Sequence, residues 1–241
     1  MKSSDAQLKS RGKITSEDLR QYSNYTQIEL LEMLNCKEAY KRTIAVKILS
    51  AKYDLNEDMT RLLLHALQHE KKLYTKIALC DALSKGSVQS AKSMVGYLGQ
   101  IGNNQHNALP TNGFNKKSYP LPRDIIARTL AHMNADILPV LVDVLKTNNI
   151  PAIREVIDAI GFICFYNKIH ATTQITDALI LCLRNYYNDD IIRWKLVRAF
   201  ESFNDINVIK ILMEIEQNDR QLIIGNEARR SLKIIENYTK S

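Results

Sequence analysis

The chain has 241 residues, 45% hydrophobic and 24% charged, with a net charge of +7, which is the balance of a folded protein with a substantial core rather than a disordered one. It holds only 8 Gly and 5 Pro, too few turn formers for a large β-sandwich or barrel, so helices are expected. The longest apolar run, AIGFICFY, has eight residues, far short of the ~18 that span a bilayer, so membrane insertion is excluded.

Residues 1–25 lack the apolar stretch of a secretory signal and carry a helix start at Ser16-Glu17-Asp18-Leu19, so they read as an N-terminal cap on a cytoplasmic protein. Basic residues gather at this end: residues 1–52 hold ten Lys/Arg against six Asp/Glu. The rest of the surplus is spread thinly, a weaker footprint than a dedicated nucleic-acid binder shows.

From residue 26 onward a pattern recurs. A cation is followed at i+3, i+6 and i+7 by small or aliphatic residues: Arg42 with Ala45, Ile48 and Leu49; Lys76 with Leu79, Ala82 and Leu83; Arg123 with Ile126, Thr129 and Leu130. Arg154 with Ile157, Ile160 and Gly161, and Arg193 with Leu196, Ala199 and Phe200, continue it; Gly225 opens the last, with Ala228, Ser231 and Leu232. Those offsets share one helical stripe, so each segment is a helix with a buried face. Successive units lie 34, 47, 31, 39 and 32 residues apart, the period of a helical repeat array. A partner helix precedes each: TQIELLEML, NEDMTRLLLHALQ, SAKSMVGYLGQ, ADILPVLVDVLK, TQITDALILCLRNYY and INVIKILMEIEQ. Asn56, Asn134, Asn188 and Asp205 suit N-caps, and Pro122, Pro139 and Pro151 suit first turns. The one long spacing contains residues 101–122, a polar stretch with two Gly and three Pro that reads as an inserted loop.

Residues 137–163, ILPVLVDVLKTNNIPAIREVIDAIGFI, resemble a HEAT repeat, with an apolar-Pro-apolar start, a short polar turn and an Arg opening the second helix. NEARRSLKII, residues 226–235, resembles the short HEAT-like repeats of bacteria. The resemblance spans about residues 26–238 and implies an all-α fold: a right-handed α-solenoid of about six stacked helix pairs, residues 26–241, with second helices on the concave side.

Catalytic motifs are missing: there is no GxGxxG, P-loop, GxSxG or HExxH, so no catalytic residue, metal ligand or cofactor is assigned. His65 and His69 share a helix face but lack further ligands, since Glu70 is one residue off it. Cys164 and His170 are six apart, yet Cys164 belongs to an apolar run; it reads, with Cys36, Cys80 and Cys182, as a buried reduced thiol. Asp189 and Asp190 mark a helix N-terminus. The row Arg42, Lys76, Arg123, Arg154 and Arg193 is either a phosphate ladder or, as in the family, a set of contacts between adjacent repeats.

If the resemblance sets the orientation, residues one and five places after each cation line the inner wall. That nominates Lys47, Arg128, Trp194, Arg198, Arg229 and Arg230 as partner contacts, with Glu155, Asp158 and Asp81 interrupting the charge. Trp194, the single Trp, is either a binding hot spot or packing between repeats. Phe114, Lys116, Lys117 and Tyr119 make the insert either a clamp or a disordered loop. The leading expectation is a non-catalytic scaffold that binds a protein or peptide, and replacing Arg198 and Arg230 together with Glu is expected to weaken binding without unfolding the chain. Nucleic-acid binding, in the manner of the HEAT-like alkylpurine DNA glycosylases, is the alternative; no catalytic Asp aligns. A phycobilin-lyase-type protein is a remote third reading, against which scarce Gly and the long insert weigh. Oligomeric state is not encoded legibly.

Overall fold

The computed structural model describes the backbone of residues 4–239 and the side chains of residues 4–237, so the last residues of the expected repeat domain lie outside the described ones. Among the described residues the structure is all-helical, with no strand. Contacts group the chain into two compact units, Met1–Met94 and Val95–Ser241, a boundary inside the stretch read as one repeat domain.

The first unit opens with two short helices, α1 (Asp5–Ser10) and α2 (Ser16–Gln21), each held by a capping box, Ser4 with Gln7 and Thr15 with Asp18. Both rest on α4 (Ala39–Lys52). Then come α3 (Gln27–Met33), α5 (Glu57–His69), α6 (Leu73–Leu83) and α7 (Val88–Met94). The helix α3 pairs with α4, α5 pairs with α6, and α4 packs on α6. Small hydroxyls make that last approach close: Thr75 Oγ1 lies 2.9 Å from Thr43 Oγ1 and 3.2 Å from the Ala39 carbonyl it donates to.

The second unit contains α8 (Ile125–Ala131), α9 (Leu138–Val144), α10 (Ile150–Tyr166), α11 (Thr173–Asn185), α12 (Asp190–Ala199), α13 (Ile206–Asn218) and α14 (Leu222–Thr239). Within it α9 packs on α10, α11 on α12 and α13 on α14. The helix α12 sits between α10 and α14, while α8 covers the other side of α10. Every residue from Ile191 to Phe203 is buried, which makes α12 and the short turn after it the centre of this unit. The Ser202 hydroxyl donates to the Gly161 carbonyl at 2.9 Å, and Ser231 donates to Val197 at 3.0 Å, so α10, α12 and α14 meet through small side chains.

All six repeating segments are helical, and their i+3, i+6 and i+7 residues are buried except Leu232, which is half-buried. Asn56, Asn134 and Asp205 cap as expected, and Pro139 and Pro151 occupy first turns. Two boundary expectations fail. The cap of α12 is Asp189 rather than Asn188, because its carboxylate takes both the Ile191 and Ile192 N–H groups. Pro122 precedes α8 rather than entering it, because Asp124 takes the cap by accepting from Ala127 N.

Arg42, Arg154 and Arg193 are structural. Arg42 grips Glu70 with two bonds of 2.8 Å, Arg154 bonds Asp189 at 2.6 Å, and Arg193 bonds Asp219 at 2.7 Å. In each case a helix of the repeat reaches the carboxylate that just precedes or caps the following one, which ties neighbouring repeats together. No single helix among the described residues is long and apolar enough to cross a membrane.

Candidate functional site

The inserted loop of the second unit is ordered against helices, and it brings together residues the sequence nominated separately. Residues 101–122 contain no helix, yet Ile101, Tyr119 and Pro122 are buried. Tyr119 enters an aromatic cluster, its ring 5.6 Å from Phe165 and 6.3 Å from Phe162. Ile234 of α14 closes this cluster from the other side. A helix bearing Gly161 makes room, because a side chain there would collide with Tyr119.

Polar anchors fix the rest of the insert. Arg230 donates to the Lys116 carbonyl at 2.8 Å, and Arg128 donates to the Pro122 carbonyl at 2.8 Å. Gln105 Nε2 bonds the carboxylate of buried Asp124 at 2.8 Å. Phe114 faces two guanidinium groups, Arg230 at 5.0 Å and Arg198 at 5.7 Å from its ring centroid. The edge of His106 meets Trp194 with centroids 4.8 Å apart.

Beneath the insert runs a buried charge relay across three helices. Lys195 Nζ of α12 lies 2.9 Å from both Glu155 and Asp158 of α10. Arg198 of α12 pairs with Glu227 of α14 at 3.2 Å, and Arg230 pairs with Glu201 and, at 3.0 Å, with Glu227. Burial disfavours the charged forms, so the carboxyls of Glu155 and Glu201 are both pushed up to about 7 despite their cationic partners. His106 is pushed down to about 4, first by burial and then by the nearby Lys195 charge. It is therefore neutral at physiological pH.

This corrects the expected inner wall. Trp194 and Arg198 are only 1% and 5% exposed, so they do not present an open surface; the chain's own insert covers them. Arg230 is largely buried and fully engaged. Replacing Arg198 and Arg230 with Glu would set two new carboxylates beside the buried Glu201 and Glu227 in place of their cations, four acidic groups in all, so this variant should lose its fold, contrary to the expectation. Arg229 is exposed and bonds Glu216 at 2.8 Å. Arg128 is exposed, and Lys47, in the first unit, is exposed on α4. Of the insert residues, Phe114 and Tyr119 face inward while the Lys116 and Lys117 side chains are exposed, so the insert is a clamp on its own chain rather than a disordered loop.

The residues that the pattern missed are His106, Lys195, Glu201 and Glu227. One signal was available. Opposite charges recur at nearly equivalent positions of successive helices, Glu155 and Asp158, then Lys195 and Arg198, then Glu227 and Arg230. Complementary signs on neighbouring helices indicate mutual pairing rather than a ligand surface.

The first unit has a shallow groove of about 490 Å³ between α3, α4 and α5, lined by Ile28, Leu31, Leu62, Ala66 and the two histidines. The rings of His65 and His69 lie 4.5 Å apart, and Glu70, the neighbouring carboxylate, is committed to Arg42. Cys164 and Cys182 are buried, and burial pushes both thiols up to about 12, which makes them poor nucleophiles.

No family model matches the chain, and no curated protein matches it. A solved structure of an engineered protein is similar over 88% of this chain and 99% of that one, with 17% identity and a TM-score of 0.40. A likeness of that degree specifies neither family nor function.

Proposed function

We propose that the chain is a non-catalytic scaffold of stacked HEAT-like helix pairs, a right-handed α-solenoid, whose inner face holds a short extended segment of a partner protein. One observation carries this reading. The chain's own insert lies across α10, α12 and α14 without helix or strand, with the Lys116 and Ser118 carbonyls accepting from Arg230, Phe114 against Arg198 and Tyr119 in an aromatic socket. Main-chain hydrogen bonds with alternate side chains in pockets are how folded domains recognise extended peptides. A surface that binds one such segment in cis has the chemistry to bind its like in trans. The tether gives the insert a high effective concentration, so a partner segment must bind more tightly than the insert to displace it. Buried thiols at Cys164 and Cys182 suit a reducing compartment, and we place the scaffold in the cytoplasm.

The test replaces residues 107–121 with a glycine-serine linker and offers a synthetic peptide of the same fifteen residues in trans. Trp194, the single Trp, reports binding by its fluorescence. Saturable binding that weakens when the peptide carries Phe114→Ala or Tyr119→Ala supports the reading. No binding overturns it. So does tighter binding of duplex DNA that falls ~10³-fold or more between 50 and 200 mM salt, the signature of several phosphate contacts.

A further inference from the structure

His65 and His69 stand one turn apart on α5, with their rings tilted against each other. Both are exposed, and both line the groove between α3, α4 and α5. His69 Nδ1 lies 2.9 Å from the His65 carbonyl oxygen. A carbonyl only accepts, so in the neutral imidazole this nitrogen carries the proton and Nε2 keeps its lone pair. Histidines that ligate metals almost always hand their other ring N–H to a carbonyl or carboxylate, which fixes tautomer and ring orientation. His132 makes the same kind of bond, to the Arg128 carbonyl at 2.7 Å, but has no histidine one turn away. Two imidazoles on one helix face are what set α5 apart.

The surroundings favour a cation. His69 closes α5, and the last turn of a helix carries the negative end of its dipole. Glu32 of α3 lines the same groove and makes no ion pair among the described residues. Lys71 and Lys72 oppose from beyond the helix end, but both are exposed and screened by water and salt. Glu70 is held by Arg42, and no third histidine, cysteine or carboxylate joins the pair in a cluster among the described residues. The donor set is therefore two imidazoles, which suit zinc, copper and nickel, whereas magnesium and calcium take oxygen ligands. We propose that Nε2 of His65 and Nε2 of His69 chelate one divalent late transition-metal ion, with water in its remaining positions. Once the first imidazole holds the ion, the second binds it intramolecularly, which raises affinity by ~10²-fold or more over a single histidine. The bound ion staples the last turn of α5, just before the chain enters α6. The proposal is independent of the peptide reading, because both ligands belong to the first unit.

The experiment titrates the full chain with zinc chloride, nickel chloride and magnesium chloride. Calorimetry is the readout, and the urea midpoint is a second one, because an ion that binds only the folded chain stabilises it. Zinc and nickel are each expected to bind saturably and to raise the midpoint, and magnesium to do neither. His65→Gln and His69→Gln remove one imidazole each from exposed positions and should each weaken zinc and nickel about tenfold or more. His132→Gln removes a histidine that has the backbone bond but no helical partner, and should leave both affinities as they are. Circular dichroism of each variant checks its fold. The proposal is overturned by no saturable binding of zinc or nickel, by magnesium bound as tightly, by affinity unchanged in either His65→Gln or His69→Gln, or by an equal loss in His132→Gln.

Discussion

The Tyr119 hydroxyl lies directly against the bare Cα of Gly161: a methyl group built on that glycine would come 2.6 Å from the ring carbon Cζ and closer still to the oxygen. Tyr119 is 2% exposed and Gly161 sits in the middle of α10, so neither side has room to move. In an exposed helix Gly161→Ala would stabilise by about 1 kcal/mol. Here the clash dominates, and the variant should lose roughly 1–3 kcal/mol, the usual range for overpacking. The insert should detach in the process. Limited proteolysis should then cut within residues 107–121, where the parent chain resists, and thermal melting should show the loss. A variant as stable and as resistant as the parent would mean that the insert is not docked through Tyr119.

Arg230 and Arg229 are adjacent in sequence and opposite in environment. Arg230 is enclosed by Glu201, Glu227 and the insert carbonyls, whereas Arg229 makes one exposed pair with Glu216. Removing one partner from a buried ionic cluster leaves carboxylates uncompensated, so Arg230→Ala should destabilise by about 3–5 kcal/mol. Arg229→Ala should change stability by less than about 1 kcal/mol. Urea denaturation of the two variants checks the contrast, and equal effects would show that the relay is not buried in solution.

The helices and their core faces were legible because the stripe at i+3, i+6 and i+7 follows from helix geometry alone. Ile157, Leu196 and Ala228 are each fully buried as that stripe requires. The site was legible only in its membership. Trp194, Arg198, Arg230, Phe114 and Tyr119 all belong to it, but they face one another rather than a partner. A periodic pattern specifies which side of a helix is polar and says nothing about what a distant loop will cover. Gly161 was the local clue. It stands where all five other repeats carry Leu or Phe, and a missing side chain on a buried stripe leaves space that another segment must fill.

The arginines that open the repeats are not equivalent to lysine. Arg193 bonds both oxygens of Asp219 at 2.7 and 3.3 Å, bonds Asp190 at 2.9 Å, and donates to the Tyr187 carbonyl while lying over that tyrosine's ring. A lysine ammonium cannot span this fork, so Arg193→Lys should cost roughly 2–4 kcal/mol through unmet buried acceptors. Arg154 sends both of its bonds to a single oxygen of Asp189, in a half-exposed setting that a lysine reproduces better. Arg154→Lys should therefore cost about 1 kcal/mol or less. Chemical denaturation of the two variants should rank them in that order; the reverse order would remove the geometric reading of the row.

Glu201 makes stability depend on pH in a direction opposite to most acids. Burial raises its carboxyl to about 7, against the ordinary 4.5, with the Glu227 charge adding to the rise and Arg230 and Arg198 opposing it. Between those values the folded chain holds a proton that the unfolded chain has released, so the contribution of this group to stability falls as pH rises from 4.5 to about 7. Glu155 behaves the same way with the same endpoint. His106, lowered to about 4 from 6.5, acts against them, because the unfolded chain then binds the extra proton and stability rises with pH across that interval. Glu201→Gln is neutral in both states. Its stability relative to the parent should therefore climb as pH goes from 4.5 to 7 and level off above that, while His106→Asn should lose ground relative to the parent over the interval from 4 to 6.5. Denaturant midpoints measured at half-unit pH steps give both difference curves. A flat or falling curve for Glu201→Gln would place that carboxylate in a solvated, ordinarily titrating setting and would dismantle the buried relay under the insert.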